Sequence, residues 1–106
     1  MSQPIQIQLS QPEIADFCHR WQIAEFYLFG SVLRPDFRVD SDVDVMVNFQ
    51  PDAPWGLLEF VRMKRELETL FGRSVDLVTK KSIEQSHNWL RRQEILENAR
   101  VVYVAG

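Results

Sequence analysis

The clearest alternation of apolar and polar positions is "IQIQL" at residues 5–9, where Ile5, Ile7 and Leu9 alternate with Gln6 and Gln8. A period of two predicts a short, half-buried strand at a sheet edge. Ser10 followed by Glu13 reads as a capping box, and Pro12 suits a first helical turn. The helix they open is predicted to run to about residue 21, with Ile14, Phe17, Cys18 and Trp21 on one face. "IAEFYLF" is aromatic and apolar and stops at Gly30, which reads as a strand. "VDVMVNF" reads as a second strand, with Val43, Val45 and Val47 on one face and Asp44 and Met46 on the other.

Pro51 and Pro54 interrupt the chain, and a helix is predicted from about residue 55 to 71. Its apolar face is assigned to Leu57, Phe60, Val61, Leu67, Leu70 and Phe71, with a gap at Lys64 and Gly72 as the C-cap. "VDLVT" is a third strand. Ser82 is placed as the cap of a last helix that carries Trp89, Leu90, Ile95 and Leu96, and "VVYVA" closes as a short strand. Strand, long helix, strand is a β-α-β unit, so the second and third core strands should run parallel. The first and second are joined by a loop and should pair antiparallel. The expected fold is α/β (α+β): a small mixed β-sheet with helices packed against it.

This pairing brings three strand ends to one rim. Gly30 and Ser31 end the first core strand, Asp42 and Asp44 begin the second, and Asp76 begins the third. Asp42 and Asp44 are two residues apart on a strand, which puts their Cα atoms roughly 6.5–7 Å apart on one face. Oxygen ligands of this kind suit Mg²⁺ or Mn²⁺, which take one or two carboxylates together with substrate phosphates. Asp76 would complete a two-metal clamp, in which one ion activates an oxygen nucleophile and the other holds a triphosphate and its leaving pyrophosphate. Glycine permits close approach of backbone to phosphate, Ser31 offers a hydroxyl donor, and Arg34 and Arg38 offer positive charge. Without cations the carboxylates should repel one another, so raised pKa values or strain are expected.

Composition narrows the picture. The 106 residues suit one compact domain spanning 1–106, and 45% hydrophobic with 25% charged residues is ordinary for a globular protein. A net charge of −3 argues against bulk nucleic acid as the partner. Cys18 is the sole cysteine, the N-terminus has no signal-peptide pattern and no apolar run is long enough to span a membrane. A reducing, cytoplasmic setting follows as the expectation. The four glycines have neither P-loop nor dinucleotide-binding spacing.

"GSVLRPDFRVDSDVDV" resembles the signature of the DNA polymerase β-like nucleotidyltransferase superfamily, Gly-Ser, ten residues, Asp-x-Asp. Asp76 in "SVDLVT" sits where that family places its third carboxylate. The short length resembles the minimal nucleotidyltransferases, the MNT-domain or MntA-like group. One departure stands out: many relatives carry basic residues directly after Gly-Ser, whereas Val32 and Leu33 follow here and only Arg34 remains. The resemblance implies Asp42, Asp44 and Asp76 as catalytic metal ligands, Gly30, Ser31 and Arg34 as nucleotide-binding residues, and Mg²⁺ and ATP as cofactor and substrate. It further implies an antitoxin that transfers AMP to a tyrosine hydroxyl of a HepT-like partner, a HEPN-family ribonuclease toxin. A silent antitoxin acting by binding alone, and nucleotide transfer to a small molecule, are the alternatives; a chain this short leaves no room for the acceptor domain that small-molecule transfer uses.

Plainer roles are assigned elsewhere. Asp40 precedes the strand and reads as a loop or cap residue. His19 and His87 have no partners at zinc-ligand spacing and read as surface residues. Cys18 reads as core. Trp55 and Trp89 read as core or as partner anchors. Lys80, Lys81, Arg91 and Arg92 form a mild basic cluster, with solvated charge as the plain reading and contact with nucleotide phosphate or a partner as the other.

Overall fold

The computed structural model describes residues 10–35 and 41–105. The strand expected at residues 5–9, and Arg38 and Asp40, lie outside them. Among the described residues the order is α1 (Gln11–Arg20), β1 (Ile23–Phe29), a 3-10 turn (Gly30–Leu33), β2 (Val43–Phe49), α2 (Leu57–Phe71), β3 (Val75–Thr79), α3 (Lys80–Glu84), α4 (Trp89–Asn98) and β4 (Arg100–Val104).

The strands form one mixed sheet in the order β3-β2-β1-β4. β1 pairs antiparallel with β2 and with β4, while β2 and β3 run parallel across the α2 crossover. β2 is therefore central, and both of its faces are covered. Val43, Val45 and Val47 are fully buried in a core shared with Ile14, Phe17, Met63 and Leu67 of α1 and α2. Met46 points the other way, into a smaller cluster with Phe29, Ile83 and Ile95, which α3 and α4 close. Each such aliphatic side chain contributes about 1.5–3 kcal/mol when removed from water.

Of the face expected for α2, Phe60, Leu67, Leu70 and Phe71 pack against the core, Leu57 and Val61 do not, and Met63 joins it. Met63 and Leu67 are its fully buried residues, whereas Leu57 is 80% exposed and Val61 38%. Phe60, Met63, Leu67 and Leu70 form the inward stripe, at spacings of three and four. Apolar residues on two adjoining faces left the rotation of this helix ambiguous, and the packing of β2 and β3 resolves it. Its ends behave as expected of Gly72, which takes a left-handed conformation at φ +66° and donates its N–H to Glu68 O at 2.8 Å. At the start, the Glu59 carboxylate accepts from the Gly56 N–H at 2.8 Å.

Ser10 is the N-cap residue of α1 with Pro12 in the first turn, as expected, but Ser82 caps neither later helix. The Ser10 side chain forms no cap hydrogen bond. Thr79 Oγ1 accepts from the Ser82 N–H to start α3, and Asn88 Oδ1 accepts from the Arg91 N–H to start α4. Residues 80–98 thus hold two helices, with Ser82 inside the first. Trp21 and Trp55 pack edge to face at 5.1 Å, and the Trp55 indole N–H donates to Trp21 O at 2.6 Å, joining the end of α1 to the approach to α2. None of the helices among the described residues is long and apolar enough to cross a membrane.

Candidate active site

Strand register places the acidic residues. Phe29 opposes Asp44 across the β1–β2 pair, and Asp44 opposes Asp76 across the β2–β3 pair. Side chains alternate along a strand, so Asp44 leaves the sheet on the Met46 face, toward α3 and α4, and Asp76 leaves β3 beside it. Asp42 lies one residue before β2 and is exposed, as is Asp76; Asp44 is half-buried. The rim expected from the sequence therefore exists, with β1 ending where β2 and β3 begin.

Gly30 sits against this rim at φ +75°, a conformation that side chains rarely adopt. A Cβ there would overlap Asp44 Oδ2. The glycine thus admits the aspartate carboxylate, a nearer partner than the phosphate expected from the sequence. The Ser31 N–H hydrogen-bonds the Asp44 side chain, and the Ser31 hydroxyl donates to Asp42 O over a long 3.5 Å. Val32 is fully buried and anchors the turn from below. The apolar residue after Gly-Ser therefore serves packing here and presents no charge to the rim.

The electrostatics follow the geometry. Burial pushes the Asp44 carboxyl up to about 6, and the neighbouring charges of Asp76 and then Asp42 push in the same direction. Arg91 and the Ser31 N–H act against them. Among the described residues, no three acidic, histidine or cysteine side chains already stand close enough together to hold a metal ion. The donor set still fits a hard divalent cation: it is all carboxylate, it sits on one rim, and its mutual repulsion is what a cation would cancel.

Beside the rim, a cleft of about 460 Å³ opens between the 3-10 turn and α4. Phe29, Leu33 and Ile95 give it an apolar floor, and Gly30, Arg34 and Asn98 are among its polar edges. Arg34 is exposed and faces Glu94 of α4 at 3.8 Å. Gly30 belongs to both places, so the cleft and the acidic rim are continuous.

A residue match over positions 14–102 to the nucleotidyltransferase domain family spans most of the chain. The chain belongs to the nucleotidyltransferase domain family. This nucleotidyltransferase is 42% identical over 65 residues to the protein adenylyltransferase MntA of Thermococcus cleftensis, covering 61% of this chain and 64% of that one. The chain thus spans just under two thirds of that relative's length. It is 34% identical over 85 residues to a Methanocaldococcus jannaschii protein named as a candidate protein adenylyltransferase, covering 80% of each. Its fold is that of the MNT antitoxin in a complex with a tri-AMPylated Shewanella oneidensis HEPN toxin, with a TM-score of 0.61 at 18% identity over 90% of this chain and 70% of that one.

In this nucleotidyltransferase Gly30 lies against Asp44, Ser31 hydrogen-bonds the Asp44 side chain and Asp42 O, Asp76 stands in register with Asp44, and Arg34 lines the neighbouring cleft. His19 and His87 are exposed, and Cys18 is buried with its thiol pushed up to about 12 by burial. Sequence reasoning did not single out Arg91 from its basic neighbours. The available signal was its spacing of four from Ile95, which places both on one stripe of α4.

Proposed function

We propose that this chain is a Mg²⁺-dependent protein adenylyltransferase, the antitoxin of a two-protein module, which moves AMP from ATP to a tyrosine hydroxyl of a HEPN-family toxin in the cytoplasm. The observation that carries the reading is the register Phe29–Asp44–Asp76, which puts two carboxylates side by side beneath the Gly30–Ser31 turn. The names of the similar adenylyltransferases, and the AMPylated toxin in the Shewanella complex, support the substrate and the partner.

Asp42, Asp44 and Asp76 would hold Mg²⁺, which when bound supplies Lewis-acid polarisation of phosphate oxygens. The tyrosine oxygen forms a bond to the α-phosphorus, the α–β phosphoanhydride bond breaks, and pyrophosphate leaves with the electron pair. Asp76, exposed at the start of β3, accepts the tyrosine proton. Asp44 is held in place by the Ser31 N–H and by the absence of a side chain at Gly30. Arg34, at the mouth of the cleft, adds positive charge near the nucleotide.

The test is to mix the purified chain with its toxin partner, ATP and Mg²⁺ and to map the modified residue by mass spectrometry. AMP on a toxin tyrosine supports the reading. A stable, neutralised complex without AMP on either protein would replace it with neutralisation by binding alone.

A further inference from the structure

Two neighbouring arginines at the start of α4 have different surroundings. The Arg92 guanidinium donates to Glu84 O and to Ser86 O, both at 3.3 Å, and so closes the turn between α3 and α4. Arg91 is exposed, and among the described residues no hydrogen bond or ion pair holds its guanidinium. Its position is set by Ile95, one helical turn along the same stripe of α4. Ile95 packs with Phe29 and Met46. Phe29 is the register partner of Asp44, and Met46 follows Asp44 on the same face of β2. Arg91 thereby belongs to the helix that covers the face from which Asp44 leaves β2, and its charge acts on the Asp44 carboxyl. Asn98, on that same stripe, lines the cleft, so one side of α4 runs from the acidic rim to the cleft.

The turn itself is poor in cations. Val32 and Leu33 are apolar, and Arg34 faces Glu94. We propose that Arg91 is the residue of α4 that binds the polyphosphate of the nucleotide, supplying from the α4 side of the acidic rim the charge that the Gly30–Leu33 turn lacks. The proposal rests on the nucleotidyltransferase reading of the same site. In the metal-free protein Arg91 offsets part of the acidic charge at the rim; with nucleotide bound, its guanidinium forks onto phosphate oxygens, a geometry that lysine reproduces only as a point charge.

The test measures Mg·ATP and adenosine binding by calorimetry in the wild type, Arg91→Ala, Arg91→Lys and Arg62→Ala. Arg62 is exposed on α2, against the opposite face of the sheet, and controls for loss of one positive charge. R91A is expected to weaken Mg·ATP binding about tenfold or more while leaving adenosine binding within about twofold. R91K recovers part of the loss and R62A matches the wild type. Equal Mg·ATP affinity in R91A and wild type overturns the assignment, as does an equal loss of ATP and adenosine, which would mean that Arg91 only shapes the site. Absence of Mg·ATP binding in the folded wild type would overturn the functional reading itself, and the Arg91 proposal with it.

Discussion

The space that a side chain would fill at Gly30 is occupied by the carboxylate of Asp44. The motif's glycine and its second strand aspartate are therefore one steric unit, joined across the β1–β2 pair. Gly30→Ala should cost about 1–2 kcal/mol for the left-handed backbone alone, and it should also displace Asp44. Thermal unfolding will read the first effect. Transfer activity at a temperature where the variant is fully folded should fall far more than that loss of stability explains.

Asp44 also gives the metal-free protein a pH dependence. Its folded pKa of about 6 lies above the ordinary carboxylate value of 3.8. The folded state therefore holds this proton more tightly than the unfolded chain. The associated stability is full below the unfolded value and is lost as pH rises through about 6. Asp44→Asn should remove that slope and stabilise the metal-free protein near neutral pH by on the order of 1 kcal/mol after solvent screening, while ending transfer. Carbon-detected NMR titration of Asp44 should give a midpoint near 6 without metal, lowered in Asp76→Asn. A midpoint in the ordinary aspartate range would contradict the site's electrostatics.

The rotation of α2 is testable through two of its apolar residues. Met63 is fully buried and Leu57 is 80% exposed. Met63→Ala should cost about 2–5 kcal/mol, and Leu57→Ala should stay within about 0.5 kcal/mol, both measured by denaturant unfolding. Similar costs at the two positions would mean that the helix is rotated from the orientation described.

The parts of this fold that were legible in the sequence are those governed by short periods. Alternation in "VDVMVNF" separated Asp44 from the three valines, and the β-α-β order determined the parallel pairing of Asp44 with Asp76. What was not legible depends on neighbours distant along the chain. Nothing near Gly30 reveals that a carboxylate lies over it, and nothing near Arg91 distinguishes it from Arg92. The later caps failed for a related reason: Ser82 satisfies the local rule, yet Thr79 and Asn88 supply the side-chain oxygens that start α3 and α4. The face of α2 was legible in part: Phe60, Leu67, Leu70 and Phe71 pack, whereas Leu57 and Val61 are as apolar and stay exposed.

The central claim is that the rim of Asp42, Asp44 and Asp76 transfers AMP to a partner toxin. The most direct measurement incubates the complex of chain and toxin with Mg²⁺ and ATP labelled at either the α- or the γ-phosphate. Label should reach the toxin from the α-phosphate alone, disappear on chelation of the metal, and be absent with the folded Asp42→Asn/Asp44→Asn variant. Undiminished α-label transfer by that double variant, or no α-label transfer by a wild-type chain that binds both toxin and Mg·ATP, would contradict the account.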